Sequence, residues 1–513
     1  MVAASQPLAT QAGVRVLKLG GNAVDAAVAV AAVLDVVEPF GTGCGGDAFA
    51  LVHIPGAQKP LSFNGSGRAG SLVSLDDLLE RGMTEIPLLG GGPVTVPGAL
   101  HLSSYLLDNY GNLDLADVLQ DAIHYAENGF PVSPIIARSW SNMIGSLQNS
   151  AARNTLTLKG RAPKEGETMK NPDVASVYRR VAEEGVEPFY KGDIAEVIVE
   201  TVQKHGGFLT VEDMKEHETI ETKPISTAYR GTTVYEHPPN GQGFAALEML
   251  NIMEEFDFGN FDCQGVERYH TMIEAKKLAY ADLYEHNADP DFYKVPLETL
   301  LSKQYARTRA GLIKTDEATS SSASGVPIGQ DTVYLATADK EDFAVSFISS
   351  LYTGSGLVVP GTGIKLQNRG TLFSLNPKHP NCYAPRKRPF HTIIPGALYR
   401  DKSFLGVFGI MGGAHQAQAH AQVVSNLVDY NMTPQEAIDS PRFHHNQAAN
   451  TVGVEEGVPD AVQIELLRLG HKVIEEPPAT FGGGQAILRL EDAWIAGSDH
   501  RKDGMATGFQ IAD

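Results

Sequence analysis

The 513-residue chain has little cysteine and no long apolar run, and both absences narrow the class of protein. Its three cysteines, Cys44, Cys263 and Cys382, are odd in number and lack the spacing of a metal site. A disulfide framework is therefore not expected, and we predict a reducing, cytoplasmic compartment. The longest apolar stretch, residues 24–37, contains two aspartates and is too short to cross a bilayer. The first residues lack the features of a secretory signal, although an earlier leader that has been removed stays an open alternative.

Basic residues are also in deficit, with 41 Lys and Arg against 61 Asp and Glu, which gives a formal net charge of −20. This charge repels phosphate backbones and anionic lipid surfaces, so neither nucleic acid nor a membrane is expected as a partner. Hydrophobic residues make up 42% and charged residues 20%, as in ordinary globular proteins. Because one core rarely supports a chain of this length, we expect two lobes or two closely packed segments.

Helical patterns occupy the beginning and the middle of the chain. Residues 8–39 predict two helices, the first ending at Gly20-Gly21 and the second capped by Asn22. The second helix is apolar nearly all round, which predicts a buried position between layers. Similar patterns dominate residues 100–310, for example at 113–128 and 265–285, and return at 416–430 and 434–440.

Strand patterns follow the glycine-dense segment at residues 41–47 and dominate the last third of the chain. Residues 48–54 predict a buried strand, and residues 61–70 predict a second strand and a turn. Alternating runs at 332–338 and 343–352, joined by a charged turn, predict a hairpin. Further strand patterns lie at 356–359, 392–399, 403–410 and 485–489. We predict an α+β fold in which helices enclose two sheets as a four-layer αββα sandwich.

One junction in the chain indicates a chemical function. Residues 314–330 are rich in Ser, Gly and acidic residues and predict an exposed loop, which runs directly into the strand at Asp331-Thr332. A hydroxyl just after a peptide bond can attack that bond's carbonyl and form an ester, which water then opens. The product begins with Thr332, whose α-amine, with a pKa of about 8, can act as the general base. Taken alone, a threonine at the start of a strand is more often there because its branched Cβ suits the pleated surface of a sheet.

A glycine pair could supply the second part of such a site. Gly412 and Gly413 follow a predicted strand and offer two backbone N–H groups without side chains to block approach. These groups could form an oxyanion hole, although a glycine pair by itself more often marks a tight turn.

Other chemistries have weaker support in the sequence. A metal site would use His415, His420, His444 and His445, but His415 and His420 are five residues apart and would lie on different helix faces. The segment 41–47 lacks the Gly-Lys-Ser/Thr ending of a phosphate loop, and no base is identifiable near its Cys44. We therefore predict no metal and no cofactor.

Long, specific segments of the sequence resemble the gamma-glutamyltransferase family, also called glutathione hydrolases, which are N-terminal nucleophile hydrolases. The resemblance runs through nearly the whole chain, in the segments PLATQAGVRVLKLGGNAVDAAVA, VVEPFGTGCGGDAF, GPVTVPGAL, GGFLTVEDM, PGTGI, KRPFHTIIP, GIMGGAHQ and EAIDSPRFHH. It implies that Thr332 is the self-cleaving nucleophile and that Gly412 and Gly413 form the oxyanion hole. It also implies a large subunit of residues 1–331, a small subunit of residues 332–513, and a dimer of such pairs.

The residues expected to bind substrate depart from the family pattern. Ser350 stands where the family usually has a threonine whose hydroxyl contacts the nucleophile. Arg369 and Leu372 stand where a Gln and an Asp would recognise the γ-glutamyl amine, and a cation there would repel an ammonium group. His391-Thr392 replace a serine pair, Tyr352 replaces an Asn, and Arg68 is only a displaced match for the arginine that binds the carboxylate. The predicted substrate-binding residues are Arg369, His391, Thr392, Tyr352, Asn368 and Arg68.

These departures resemble a branch of the family that includes acylases and amidohydrolases. We predict that the chemistry is retained and the specificity changed: hydrolysis of a small-molecule amide whose acyl group carries a carboxylate, held by Arg369 with help from His391 and Thr392. Two alternatives stay open. One is a true gamma-glutamyltranspeptidase or glutathione hydrolase, and the other is an uncleaved, non-catalytic relative that serves as a binding protein.

Overall fold

The computed structural model describes residues 1–320 and 331–510, and within them it has many short strands. The strands are β1 (Val2–Ala4), β2 (Asp47–His53), β3 (Leu61–Asn64), β4 (Phe130–Pro131), β5 (Thr168–Met169), β6 (Ile220–Thr222), β7 (Ile225–Tyr229), β8 (Thr232–Glu236), β9 (Asp331–Ala338), β10 (Ala344–Tyr352), β11 (Gly396–Arg400), β12 (Ser403–Met411), β13 (Phe443–Asn446), β14 (Thr451–Val454), β15 (Lys472–Ile474), β16 (Gly483–Arg489), β17 (Trp494–Ser498) and β18 (Met505–Thr507).

The helices concentrate in the middle of the chain, as the sequence predicts. They are α1 (Pro7–Lys18), α2 (Ala23–Val37), α3 (Leu75–Glu80), α4 (Ala99–Tyr110), α5 (Leu115–Asn128), α6 (Pro134–Met143), α7 (Ser150–Leu156), α8 (Pro172–Glu184), α9 (Glu187–Tyr190), α10 (Asp193–Lys204), α11 (Val211–Lys215), α12 (Gly243–Met253), α13 (Val266–His286), α14 (Leu297–Leu300), α15 (Lys303–Ala310), α16 (Gln416–Val428), α17 (Pro434–Asp439) and α18 (Asp460–Arg468). Among these described helices, none combines the length and the apolar character needed to cross a membrane.

Two sheets form the centre of the molecule. One has seven strands in the order β18-β1-β9-β10-β2-β3-β6, and the other has six in the order β17-β16-β12-β11-β8-β7. Helices α2 and α4 pack on the outer face of the first sheet, and α5 packs on α2. Helices α12 and α16 pack on the second sheet, and α13 packs on α12. The prediction of a four-layer αββα sandwich is confirmed.

Alternation along the strands separates the layers. In β9, Val333 and Leu335 belong to the core against the helices, whereas Tyr334 and Ala336 lie in the core between the sheets. Because successive side chains of a strand point to opposite faces, Thr332 lies on the face turned toward the second sheet.

The buried helix α2 is confirmed in detail. The side chain of Asn22 accepts from the backbone N–H groups of Val24 and Asp25, and the Asp25 carboxylate accepts from the Asn22 N–H in return. This capping box satisfies N–H groups that a helix start leaves without partners. Thirteen of the apolar positions that follow are buried because the helix contacts both α1 and the first sheet.

One predicted strand is absent and another begins later than predicted. Residues 356–359 form no strand, only an isolated bridge between Val358 and Lys365, because Gly356 adopts a φ of 75° and turns the chain. The strand predicted at 392–399 begins only at Gly396. The hairpin prediction is confirmed as β9 and β10, while most of the loop predicted at 314–330 lies outside the described residues.

Candidate active site

Three neighbouring strands of the seven-stranded sheet bring three polar residues into one row. Thr332 is the second residue of β9, Ser350 lies near the end of β10, and Asp47 is the first residue of β2. The Oγ1 atom of Thr332 lies 3.1 Å from the Oγ of Ser350, and Ser350 is the direct antiparallel partner of Asp47. Directly paired residues point to the same face, so all three side chains face the second sheet. All three are buried, with Thr332 only 3% exposed.

A bulge in the hairpin orients Ser350. The pairing of β9 with β10 is regular up to Ser349 and shifts before Tyr352, which has a φ of 63°. This turn of the chain allows the Tyr352 N–H to donate a hydrogen bond of 2.8 Å to the Ser350 Oγ. The hydroxyl beside Thr332 is therefore held by the backbone two residues further along the chain.

Arg369 lies over the ring of Tyr352. Its guanidinium carbon is 4.9 Å from the centre of the Tyr352 ring, and its Nη1 donates to the Thr392 Oγ1 over 2.9 Å. The side chain is fully buried, and its Nε and Nη2 atoms have no hydrogen-bond partner. Burial lowers the pKa of Arg369 to about 10, so the group stays cationic at neutral pH.

His391 is also buried, and neither of its ring nitrogens has a hydrogen-bond partner. Its Nε2 lies 3.6 Å from the Oδ2 of Asp47. Burial, with a further contribution from the Arg369 cation, holds the pKa of His391 well below its ordinary value. The imidazole is therefore neutral near pH 7 and offers one donor and one acceptor.

The glycine pair ends strand β12. Gly412 has a φ of 130° and Gly413 a φ of 58°, and a Cβ on Gly412 would lie 3.2 Å from the Cα of Gly482. Gln242 fixes this turn, because its Nε2 donates to the Gly413 carbonyl over 2.9 Å and also to the Thr392 carbonyl. The turn is thereby tied to the segment that carries His391 and Thr392.

Two predicted substrate-binding residues have other contacts. The Asn368 amide accepts from the Thr353 N–H over 3.1 Å and donates to the Leu88 carbonyl over 2.8 Å. Arg68 is 35% exposed at its side chain and pairs with Asp291 over 2.7 Å. Neither side chain forms a hydrogen bond with another predicted site residue in the described chain, so their role in substrate binding stays a prediction.

Sequence reasoning missed Asp47 and Gln242. Asp47 closes the glycine-dense segment at 41–47, in which no site residue is predicted, and Gln242 lies before helix α12 with no motif to mark it. The available signal for Asp47 is an acidic residue at the start of a strand whose next five positions are apolar.

A small pocket of about 20 Å³ lies beside the nucleophile candidate. It is lined by Thr332 together with residues of the N-terminal segment, of α6 and of the C-terminal segment, namely Ser5, Glu38, Pro39, Phe40, Gly41, Ile135, Ile136, Ser139, Lys502 and Asp503. Thr332 of the junction predicted to be cut therefore lines this pocket.

The described residues contain one group with possible metal ligands, and it is not the one considered from sequence. His270, Glu274 and His471 place ligand atoms within 4.8 Å of one another. The two imidazoles hydrogen-bond to each other over 2.8 Å, and Glu274 pairs with Lys277 over 2.7 Å. These contacts give the three side chains protein partners, so their proximity is explained without a metal ion.

The four-layer fold, with a threonine opening an inner strand between the sheets, is that of the N-terminal nucleophile hydrolases. A family model described as gamma-glutamyltranspeptidase matches residues 9–509. The chain belongs to the gamma-glutamyltranspeptidase family and is an enzyme of that family.

Similar proteins include several that differ in their described activity. The glutathione hydrolase-like YwrD proenzyme of Bacillus subtilis (strain 168) is 39% identical over 99% of this chain and 98% of its own. The oxamate amidohydrolase proenzyme of Klebsiella pneumoniae subsp. pneumoniae is 32% identical over 99% of this chain and 98% of its own. The crystal structure of cephalosporin acylase from Bacillus halodurans is 42% identical, covers 100% of this chain and 96% of its own, and has a TM-score of 0.93.

Proposed function

We propose that the chain cuts itself between Asp331 and Thr332, and that the new N-terminal Thr332 hydrolyses an amide whose acyl group carries a carboxylate. The observation that carries this proposal is the pairing of a buried Thr332 hydroxyl with Ser350 in the same site as a buried arginine whose Nε and Nη2 have no partner. The proenzyme names of the relatives support the self-cleavage.

The maturation step uses the Thr332 hydroxyl. Its Oγ attacks the carbonyl carbon of Asp331, the C–N bond to Thr332 breaks, and an ester between Asp331 and Thr332 replaces the peptide bond. Water then hydrolyses this ester, which leaves a carboxylate on Asp331 and a free α-amine on Thr332. The Ser350 hydroxyl, held by the Tyr352 N–H, supports the Oγ from 3.1 Å.

The catalytic cycle repeats the same attack on an external amide. The Thr332 Oγ bonds to the substrate carbonyl carbon while the α-amine takes its proton, and the developing oxyanion is stabilised by the N–H groups of Gly412 and Gly413. The amine returns that proton to the leaving nitrogen as the C–N bond breaks. Water then hydrolyses the acyl ester and restores the Thr332 hydroxyl.

The acyl group is selected by Arg369. The Nε and Nη2 atoms form the edge of a guanidinium that matches the two oxygens of a carboxylate, and Nη1 is already bound to Thr392. A relative named for oxamate, which carries a carboxylate, and a structural neighbour named for cephalosporin support a shift away from the γ-glutamyl group.

Both pieces build both sheets, so they are expected to stay together after scission. Strand β1 pairs with β9 and β18, β2 pairs with β10, and β8 pairs with β11. A dimer of two such large-and-small subunit pairs stays a prediction, which sedimentation measurements can test.

Denaturing electrophoresis of the wild type and of Thr332→Ala tests the proposal. The wild type should give fragments of about 36 and about 19 kDa from the 55.0 kDa chain, and the variant should stay whole and inactive. Ser103→Ala, a hydroxyl change on α4 outside the site, is the control and should be cleaved normally. Scission or turnover in Thr332→Ala would contradict the proposal, and a whole, inactive wild type would favour the binding-protein alternative.

A second candidate function is hydrolysis or transfer of a γ-glutamyl group. It is favoured by the glutathione hydrolase-like relative, and it is disfavoured by Leu372, which is apolar and 4% exposed where an acid would hold the amine. Comparing glutaryl-p-nitroanilide with γ-glutamyl-p-nitroanilide separates the two. We expect glutaryl to be the better substrate, and equal or faster γ-glutamyl turnover would establish the second candidate.

A further inference from the structure

Asp47 is the third member of the row that contains the nucleophile, and it has no role so far. It is paired directly with Ser350, whose hydroxyl lies 3.1 Å from the Thr332 Oγ1. Its side chain is fully buried and points to the same face of the sheet as both hydroxyls. Asp47 therefore lies on the face of the sheet from which an acyl group attached to Thr332 would extend.

One oxygen of Asp47 is satisfied and the other is not. Oδ1 accepts from the Gly67 N–H over 2.9 Å, whereas Oδ2 has no hydrogen-bond partner. The groups around Oδ2 also have atoms without partners: both ring nitrogens of His391, the nearer of them 3.6 Å away, and the Nε and Nη2 of Arg369. Arg369 is the strongest charge acting on Asp47, yet the two side chains form no ion-pair contact in the described structure. Asp47, His391 and Arg369 therefore form a cluster of buried polar side chains that have hydrogen-bonding atoms without partners.

We propose that Asp47 contacts the carboxylate of the acyl group and must be protonated to do so, which makes it a substrate-binding residue that sets the pH range of the reaction. This inference rests on the proposed function. Arg369 supplies two N–H donors to the substrate carboxylate, and protonated Asp47 supplies an O–H donor from its Oδ2. Ionised Asp47 can only accept, so it would repel a second carboxylate at close range.

The surroundings of Asp47 allow both its protonated and its ionised form to be populated near neutral pH. Burial raises its pKa to about 7, against the opposing pull of Arg369, of the Gly67 N–H, of Arg388 and of the Gly98 N–H. His391, the remaining titratable group that faces Oδ2, is neutral in this range. Below pH 7 Asp47 is mostly protonated and binds the carboxylate, and above pH 7 it ionises and weakens binding.

Two substrates that differ only in their head group isolate this effect. Glutaryl-p-nitroanilide ends in a carboxylate, and its carboxamide analogue, glutaramoyl-p-nitroanilide, is neutral and nearly the same shape. Both depend equally on the α-amine of Thr332, so the ratio of their kcat/KM values cancels the titration of that amine. We expect this ratio, glutaryl over glutaramoyl, to fall about tenfold or more in the wild-type processed enzyme between pH 6 and pH 8.5.

Asp47→Asn keeps the Oδ1 acceptor and cannot ionise. In this variant the same ratio should be flat with pH and should exceed the wild-type ratio at pH 8.5 by about tenfold. Asp121→Asn, a surface carboxylate that pairs with Arg15, is the matched control and should follow the wild-type curve. Scission of each variant, followed by electrophoresis, shows that the chain has folded.

A flat wild-type ratio would overturn the proposal even if Asp47→Asn failed to fold. So would an Asp47→Asn ratio that follows the wild type. Faster turnover of γ-glutamyl-p-nitroanilide that is lost in Asp47→Asn would also overturn it, because Asp47 would then bind an ammonium group. The proposed function fails in a different way, through glutaryl turnover that is absent at every pH or that persists in Thr332→Ala.

Discussion

The ring of Tyr352 and the hydroxyl of Thr392 fix the guanidinium of Arg369, so the edge formed by its Nε and Nη2 atoms has a fixed orientation. Arg369→Lys keeps the positive charge and removes the pair of N–H donors that can bind both oxygens of a carboxylate. We expect kcat/KM for glutaryl-p-nitroanilide to fall by about 10- to 100-fold, since a point charge replaces a bidentate contact. Glutaramoyl-p-nitroanilide is the control, and it should lose no more than about threefold. Equal losses on both substrates would show that Arg369 acts on the fold and not on the carboxylate.

The hydroxyl of Ser350 contacts the hydroxyl of Thr332, the proposed nucleophile. Ser350→Ala removes it, and we expect both the rate of self-cleavage and kcat to drop by about 10- to 100-fold. Ser350→Thr restores a hydroxyl at the same atom and should keep most of both rates. Time courses of scission on denaturing gels, with single-turnover kinetics on the mature enzyme, measure the two effects. A Ser350→Ala protein that matures and turns over at the wild-type rates would remove Ser350 from the site.

A substitution at the N-cap of helix α2, which packs on the first sheet, measures how much this cap stabilises the fold. Asn22→Ala removes a buried cap that serves two backbone N–H groups, and it should lower the free energy of unfolding by about 1–2 kcal/mol. Ser74→Ala removes the cap of the short, mostly exposed helix α3 and should cost less. Urea unfolding of both variants makes the comparison, and a smaller loss for Asn22→Ala would contradict a structural role for this cap.

The elements differ in how far the sequence predicts them. Helix α2 and the hairpin of β9 and β10 are correct because an apolar face and a two-residue alternation are local properties of the chain. The strand predicted at 356–359 fails because Gly356 closes a turn against the carbonyl of Ser146, a contact across the fold that no local pattern carries. Resemblance assigns Arg369 and Thr392 to one site, and their side chains lie 2.9 Å apart, while their role in substrate binding stays a prediction.

Asp47 shows the limit of sequence reasoning for the site. Its position beside Ser350 follows from the order of strands in the sheet, in which β2 lies next to β10 although almost 300 residues separate them. A glycine-dense turn before a strand is common for reasons of conformation alone. Only the register of the sheet places this carboxylate in line with the two hydroxyls.

At the scale of the whole molecule, the two proposed pieces are interleaved. Strand β1 of the first piece lies between β9 and β18 of the second, and in the other sheet β8 of the first piece pairs with β11 of the second. Separation would therefore break both sheets. The cleaved protein should therefore elute as one species in size-exclusion chromatography under native conditions and release two pieces only in concentrated urea. Recovery of an active small piece without the large one would contradict this architecture.

The central claim is that Thr332 becomes a chain end and then carries the acyl group. Intact-mass spectrometry of the active protein, quenched during turnover of glutaryl-p-nitroanilide, tests both parts in one measurement. We expect two masses that correspond to residues 1–331 and 332–513, with a fraction of the second heavier by one glutaryl group, and peptide mapping should place that group on Thr332. An active protein with one mass for the uncut chain, or with the acyl group on another residue, would contradict the account.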